Sequence, residues 1–513
     1  MQGIYEKGAL GAINLTYLLI LISKKVFKLS NVLSSMPKKE ERESNVLKAK
    51  KKEFAEWWEQ ILPAADVLDN RYDVKGLWVF MPYGYSIMLN IKSLWDNLFK
   101  ESGIKEMYFP LIVPLSYCEK NESWWRGFKE QAFWVSGRGE EARHILRPTG
   151  EPAMYPLFSL WIRAYSDLPL RIYESVFSYR YETKQTKPLI RDREIGPWYE
   201  IHTAHATKEE AIKEIEEAER MNDIIWQKLA IFPLKVEKPI CECFPGAVGA
   251  TEYYTLMPDG RVIENGSLNN LGQAYSKKFD IKFVDAHGKE DYAWQTCTGN
   301  GERYLGSLIA VHGDDRGLVI PPEIAPIQAI IVPIYYKDDK EKVTKRALEI
   351  KKKISSIARA EIDLRDETPG SKFYDWEIKG VPLRIEIGPK DIEKKQVTIV
   401  RRDNGSKIAI AEAKILKEIP ELLSNIQKNL LAKSKSMLEG SIGIAKTKDD
   451  LENSKKDILK FLLCGSESCL TEIKLIKEGH ELFGSDLNES KTEGKCIICG
   501  KKSKKIGYFA NTY

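Results

Sequence analysis

Tyr179-Arg180-Tyr181-Glu182-Thr183-Lys184, followed by Pro188-Leu189-Ile190-Arg191-Asp192-Arg193-Glu194, sets three arginines among three carboxylates in a short span. Read as strand, loop and strand, the stretch places Arg180 and Glu182 on one face, because strand side chains alternate with period two. A guanidinium forks bidentately onto phosphate oxygens, so Arg180 and Arg191 suit a polyphosphate, while Glu182 can accept from an exocyclic amine. ATP offers both groups. An isolated Arg-x-Glu is ordinarily a salt-bridge ladder on a solvated face, so the surrounding sequence has to decide.

Outward from this stretch the pattern is mixed α+β. Apolar residues recur at helical spacing from Phe54 to Leu62 and from Ser86 to Ser102, whereas Gly76 to Met81 and Glu106 to Val113 are rich in strand formers and end at Pro82 and Pro114. A charged helix is predicted from Lys208 to about Leu229, dividing one sheet into two parts. Thr251 to Phe283 reads as adjacent antiparallel strands turned at Pro258-Asp259-Gly260. After Pro321, Pro322 and Pro326 a new strand and helix alternation begins, with strands at Ala329 to Pro333, Ala360 to Leu364, Leu383 to Ile387 and Gln396 to Val400 around a helix at Lys340 to Ile357. A charged helical stretch from about Ala411 to Met437 leads to a segment organised by cysteines. The expected division is an N-terminal extension over 1–50, a catalytic domain over 51–325, an α/β domain over 326–432 and a small domain over 433–513.

Hydrophobic residues at 43% and charged residues at 30% describe a soluble globular chain with a real core. The 79 basic and 74 acidic side chains nearly cancel, so any nucleic-acid contact must come from local patches. The apolar run Ala9 to Ile22 is broken by Asn14 and Thr16 and is shorter than the roughly 20 residues of a spanning helix. The expectation is a chain without a membrane anchor, in the cytoplasm, whose first residues are unstructured or a wrongly assigned start, with Met36 as an alternative beginning. Eight cysteines do not make a disulfide framework in a chain of this length. Cys464 and Cys469 are separated by four residues and Cys496 and Cys499 by two, a thiolate set suited to structural Zn²⁺. Cys118, Cys241, Cys243 and Cys297 lack such spacing and read as buried small hydrophobes.

The Arg180 and Arg191 stretch resembles the second signature motif of class II aminoacyl-tRNA synthetases, and other segments match the prolyl branch in order. Phe109-Pro110-Leu111 is similar to the first, dimer-forming motif. Leu146-Arg147-Pro148-Thr149-Gly150-Glu151-Pro152 resembles the amino-acid-binding loop. Gly301-Glu302-Arg303 with Val311 to Val319 resembles the third motif, and Lys379 to Pro389 the anticodon-binding domain. The likeness runs from about Phe54 to Tyr513 and is closest to the archaeal and eukaryotic type with a C-terminal zinc domain. It implies an antiparallel catalytic sheet flanked by helices, a homodimer, and the substrates L-proline, ATP with Mg²⁺, and tRNA(Pro).

By the same resemblance Arg180 bridges the α-phosphate and the substrate carboxylate, Glu182 reads adenine, Arg191 holds the outer phosphates and Arg303 stacks beneath the adenine. Asp192, Glu264 and Ser267 join them in the ATP site. Thr149 and Glu151 accept from the ammonium of proline, although Thr149 is also a good helix cap before Pro152. Trp198, Glu200, His202, Phe244 and Asn269 complete the amino-acid pocket. For tRNA the candidates are Arg365, Lys372, Phe373, Trp376, Lys379, Arg401 and Arg402. The family pattern Gln-x-(Gly/Ala)-Thr-x-His is replaced here by Glu264-Asn265-Gly266-Ser267-Leu268-Asn269. That departure keeps two alternatives open, a paralogue with another amino-acid specificity and a non-catalytic tRNA-binding homologue. No room is left between Ile190 and His202 for an inserted editing domain.

Overall fold

Alternation of large aromatic and polar residues along two long strands builds the molecule. In a computed structural model, which describes residues 47–139, 141–488 and 493–513, these are β2 (Leu170–Tyr179) and β3 (Glu194–His205) of a sheet that also contains β1 (Lys105–Glu106), β4 (Leu234–Glu237), β5 (Gly249–Leu256), β6 (Val262–Gly272) and β7 (Trp294–Asn300). Their order is β4-β5-β6-β7-β3-β2-β1, antiparallel throughout except for the parallel β1–β2 pair.

One face of this sheet is covered by helices. Trp95 and Phe99 of α2 (Pro82–Glu101) meet Tyr199 with ring centroids 5.0 and 4.9 Å apart, and Trp226 of α4 (Lys208–Lys228) meets Tyr304 of α5 (Arg303–His312) at 4.9 Å. The phenol groups are satisfied inside the core, since Tyr199 and Tyr304 lie 3.0 Å apart and both donate to Asn222 Oδ1. α4 starts in a reciprocal cap, Thr207 with Glu210, that satisfies two orphan donors. Because Tyr199 and Ile201 face the helices, Glu200 and His202 must face the opposite side. α1 (Phe54–Ala64) adds Trp57 and Trp58 to the same core, and α3 (Glu151–Trp161) lies at the edge of the open face.

The structure departs from the sequence expectations at definite places. The readings of residues 1–46, including the apolar run and Met36, lie outside the described residues. Residues 47–50 are packed: Ala49 is buried and Leu47 N donates to Tyr374 Oη. β2 stops at Tyr179, so Arg180 and Glu182 lie in a loop and the shared-face argument does not apply to them. The hairpin at Pro258 to Gly260 is present, but beyond Gly272 the chain turns into a short helix, Ala274–Phe279, whose Tyr275 and Phe279 pack at helical spacing against Tyr155.

A second sheet holds β8 (Ala329–Pro333), β9 (Ala360–Ile362), β10 (Leu383–Ile387), β11 (Gln396–Arg401) and β12 (Lys407–Ala411), in the order β9-β8-β10-β11-β12. The helices α6 (Lys340–Ile354) and α7 (Pro369–Ile378) pack on it; α7 and β12 were not legible in the sequence. Arg402 ties this sheet to the third-motif segment through Asp314, at 2.6 and 2.8 Å. α8 (Ile415–Ser441) crosses the boundary drawn at 432 and delivers β13 (Ile442–Ile444), β14 (Ile458–Leu462), β15 (His480–Ser485) and β16 (Ile506–Asn511). These four strands continue the catalytic sheet beyond β4, giving eleven strands in the order β13-β14-β16-β15-β4 and onward. Tyr513 N then donates to Val262 O on β6.

Trp95 is fully buried and its Nε1 donates to Ser175 Oγ at 3.0 Å. Trp95→Ala should destabilise the folded chain by about 3–5 kcal/mol, read as a lowered denaturation midpoint, and Trp95→Phe should cost clearly less.

Candidate active site

The open face of the sheet is the floor of a cavity of about 310 Å³. Its side chains stand in two rows set by strand register. In one row His202 of β3, Cys297 of β7 and Asn269 of β6 are direct cross-strand neighbours. In the next, Glu174 of β2, Glu200 of β3, Gly299 of β7, Ser267 of β6 and Glu252 of β5 follow one another. Gly299 leaves the gap that Trp198 fills, since a Cβ there would sit 2.5 Å from the indole Cζ2. Trp198 and Phe244 line the cavity as apolar walls.

A buried polar network closes one end. Thr149 Oγ1 lies 2.6 Å from Glu200 Oε1 and 2.8 Å from Glu151 Oε2, and Tyr155 Oη lies 2.9 Å from His202 Nδ1. A hydroxyl has one proton to give. With Thr149 donating to Glu200, Glu151 must be protonated to donate to Thr149, and burial, which pushes the Glu151 carboxyl up, favours that state. Burial also works against charge on Glu200, but the His202 hydrogen bond and the nearby charges of His202 and Arg147 overcome it and hold the carboxyl down to about 2. Burial likewise opposes a charged His202, yet its hydrogen bond to Glu200 and the surrounding carboxylates carry its pKa above the ordinary value. Beneath them lies a fully buried ion pair, Arg147 Nη1 to Glu174 Oε1 at 2.5 Å. The end of the cavity thus gathers carboxyl, hydroxyl and imidazole groups within hydrogen-bond reach of one another, able to meet a small polar group.

Arg180 enters the same cavity from the loop after β2, its Nε donating to Pro148 O at 3.1 Å and its guanidinium 5.8 Å from the Trp198 ring centre. Glu264 and Ser267 line the cavity beside it, and Glu264 pairs with Arg303 at 2.9 Å. Glu182 and Arg191 lie outside this lining and face each other at 3.6 Å. Asp192 also lies outside it: its buried carboxyl accepts from Trp78 Nε1 at 2.6 Å and Leu189 N at 2.8 Å, contacts that shape the loop. Sequence reasoning missed Phe128 and Glu252 in the lining. Burial pushes the Glu252 carboxyl up to about 7, with Lys238 Nζ at 2.9 Å and Tyr254 Oη at 2.6 Å as partners. Cys297 is buried as expected but belongs to the floor, and Cys241 is exposed rather than buried.

Beside the second sheet, Trp376 of α7 and Arg401 of β11 line a cavity of about 260 Å³ together with Arg384 and Lys407. Arg365 is held by Asp363 and Asp375, Lys379 by Asp66, and Arg401 by Asp403. Lys372 is buried with its Nζ toward Asp363 O, which removes it from any surface that could meet a large ligand. Phe373 lies under Arg384, and Arg402 is committed to Asp314. The structure brings Cys464, Cys469, Cys496 and Cys499 together with all four Sγ atoms within 4.8 Å of one another. Separations of 3.6, 3.6 and 4.0 Å between three of the pairs match the ~3.8 Å edge of a tetrahedron with zinc–thiolate bonds of about 2.3 Å.

Linkage gives these shifts a sign. The depressed Glu200 stabilises the fold above its unfolded pKa, and that contribution is lost as pH falls from the ordinary glutamate range toward about 2. The raised His202 stabilises it below pH 6.5, and that contribution is lost as pH rises through the folded value. In Glu200→Gln the main partner is gone and burial governs, so the His202 midpoint should drop from above 6.5 to below it. Imidazole titration by NMR reads this, and six histidines are few enough to assign by substitution. An unmoved midpoint would refute the coupling.

Residues 133–312 match the model of the tRNA synthetase class II core domain (G, H, P, S and T), and residues 328–422 match that of the anticodon binding domain. The chain is 40% identical over 475 residues to the proline–tRNA ligase of Pyrococcus horikoshii, covering 90% of this chain and 98% of that protein. It is 40% identical over 467 residues to that of Methanocaldococcus jannaschii, covering 90% and 100%. The solved Giardia lamblia prolyl-tRNA synthetase in complex with prolyl-adenylate superposes with a TM-score of 0.87 at 33% identity, over 90% of this chain and 99% of that one. With class II core, anticodon-binding domain and near full-length relatives in agreement, the chain belongs to the prolyl-tRNA synthetase family.

Proposed function

We propose that the chain joins L-proline to ATP, forming prolyl-adenylate and pyrophosphate, and then passes the prolyl group to the 3′ end of tRNA(Pro) with release of AMP. The observation that carries this reading is that a polar network (Thr149, Glu151, Glu200, His202), two apolar walls (Trp198, Phe244) and a half-buried guanidinium (Arg180) open onto one cavity of about 310 Å³. Such a cavity suits a pyrrolidine ring with its charged ends fixed. A carboxylate oxygen of proline attacks the α-phosphorus, and the bond to the β-phosphate breaks. Arg180 draws the two anions together and neutralises charge that grows between them, so the rate comes from positioning and electrostatics rather than covalent catalysis. Arg303 stacks under the adenine while Glu264 orients it. The Glu182–Arg191 pair separates when nucleotide binds, Glu182 accepting from the adenine amine and Arg191 turning to the outer phosphates. Mg²⁺ bound with ATP would share the phosphate charge, and Glu264 would offer it a hard oxygen donor.

The four clustered cysteines would hold a structural Zn²⁺, which would tie β14 and α9 (Glu467–Ile473) to the Cys496 turn. Trp376 of α7 and Arg401 of β11 remain the candidates for anticodon contact, with Arg365 and Lys379 nearby. A homodimer is supported by exposed apolar side chains around the first motif, Tyr108, Ile112, Leu160 and Trp161. Among the described residues no helix is long and apolar enough to cross a membrane.

Pyrophosphate exchange with each amino acid in turn is the test. Proline should drive it, Arg180→Ala should reduce it at least ~100-fold, and exchange driven by another amino acid instead would overturn the assignment. Cys496→Ser should lose bound zinc by elemental analysis and unfold at a lower temperature; full retention of zinc would refute the site.

A further inference from the structure

The segment that supplies Phe244 also carries two cysteines. Cys241 and Cys243 flank Glu242 at a 3₁₀ turn, Ile240–Glu242, and Glu242, Cys243 and Phe244 all line the cavity. Of the cysteines outside the four-thiol cluster, Cys118 and Cys297 are buried, whereas Cys241 is exposed and Cys243 is half-buried. Cys243 Sγ lies 3.5 Å from Pro239 O and 3.8 Å from Lys238 O, so its thiol is turned back onto the backbone. Burial pushes that thiol up to about 11 and keeps it protonated. Of the two sulfurs, Cys241 is the one that a small oxidant in solution reaches first.

The turn brings the pair within bonding reach. The distance between Cα atoms two residues apart is set by the backbone of the residue between them, here Glu242. In a 3₁₀ conformation it is about 5.5 Å, inside the roughly 4.4–6.8 Å span of disulfides, whereas an extended residue would open it to about 6.8 Å. The two side chains now point apart, one to solvent and one to the backbone, so a bond between them requires the turn to shift. Phe244 follows directly and is seated between Tyr275 and Phe128, each with ring centroids 6.2 Å away. Lys474, the residue after α9, pairs with Glu242 and stands within electrostatic range of Cys241. A cation beside a thiol favours the thiolate, which is the form that attacks peroxide.

We propose that Cys241 and Cys243 form a peroxide-sensitive modification site, whose disulfide displaces Phe244 and weakens binding of proline. The second half of this inference rests on the proline-activating reading of the cavity. The Cys241 sulfur attacks one oxygen of hydrogen peroxide, the O–O bond breaks, and one water leaves behind a sulfenic acid. The Cys243 sulfur then attacks that sulfur, the S–S bond forms, the S–O bond breaks, and a second water leaves. The two sulfurs together give up two electrons, the peroxide takes them, and the two thiol protons end in water. A dithiol reductant reverses the bond.

The experiment treats the full chain with hydrogen peroxide, removes the excess with catalase, and follows peptide mass and proline-dependent pyrophosphate exchange in the native sequence and in Cys241→Ser. The tryptic peptide from Val236 to Arg261 holds both cysteines and no other. It should become lighter by two hydrogens and regain them with dithiothreitol. Over the same course the KM for proline should rise about tenfold or more, as expected when a pocket wall moves by an ångström, while the KM for ATP changes less than twofold. Cys241→Ser should keep both values after treatment. A peptide of unchanged mass, Cys243 found joined to Cys297, an unmoved KM for proline despite the bond, or equal inactivation of Cys241→Ser each overturns the inference and leaves proline activation standing. Absence of proline-dependent exchange in the untreated chain overturns the underlying reading and the effect on proline with it, and the peptide mass then still decides whether the bond forms.

Discussion

The two-residue period of one antiparallel sheet is the constraint on which the rest depends. Tyr173, Tyr199, Ile201 and Leu268 point to one side and are sealed by α2, α4 and α5 into an aromatic core. Their immediate neighbours Glu174, Glu200, His202 and Asn269 have no choice but the other side. A register slip of one residue on β3 would exchange a tyrosine core for a floor of charges, so the site is specified by the same packing that stabilises the fold.

Charge burial on that floor is possible because no ionised group there stands alone. Arg147 neutralises Glu174, His202 and Thr149 hold Glu200, and Glu151 is free to remain protonated. A single unpaired carboxylate at such depth would be severely penalised. Removing one member therefore perturbs the others, and roles in this cluster belong to the group more than to any residue.

Much of this architecture could be read from the residues. The Lys208 helix, the strands Ala329–Pro333 and Leu383–Ile387, and the turn at Pro258 to Gly260 were legible because periodicity and turn chemistry agree there with the tertiary outcome. Thr149, Trp198 and Glu200 were legible only through motif resemblance, for nothing local distinguishes a pocket wall from core filler. Arg180 and Glu182 were misread as strand neighbours because the strand-to-loop change at Tyr179 has no proline or glycine to announce it. Lys372 looked like a surface cation, and only the neighbouring Asp363 carbonyl, brought close by the fold, explains its burial. Asp192 followed its motif on paper, whereas the fold sets one of its oxygens against Trp78, a residue 114 positions away.

The sheet is also long in time as well as in space. β4 is an edge until β15 reaches it, and the Ser485 to Glu237 contact joins residues 248 positions apart. During synthesis the first motif, the floor and α4 emerge well before the strand that covers β4. At ordinary elongation rates of ~5–20 residues per second, that edge would stay open for roughly ten seconds or more. An uncovered edge is a template for pairing with another chain. Lys235 and Glu237, charged residues on β4 itself, are the kind of guard that keeps a nascent edge from such pairing until its own partner arrives.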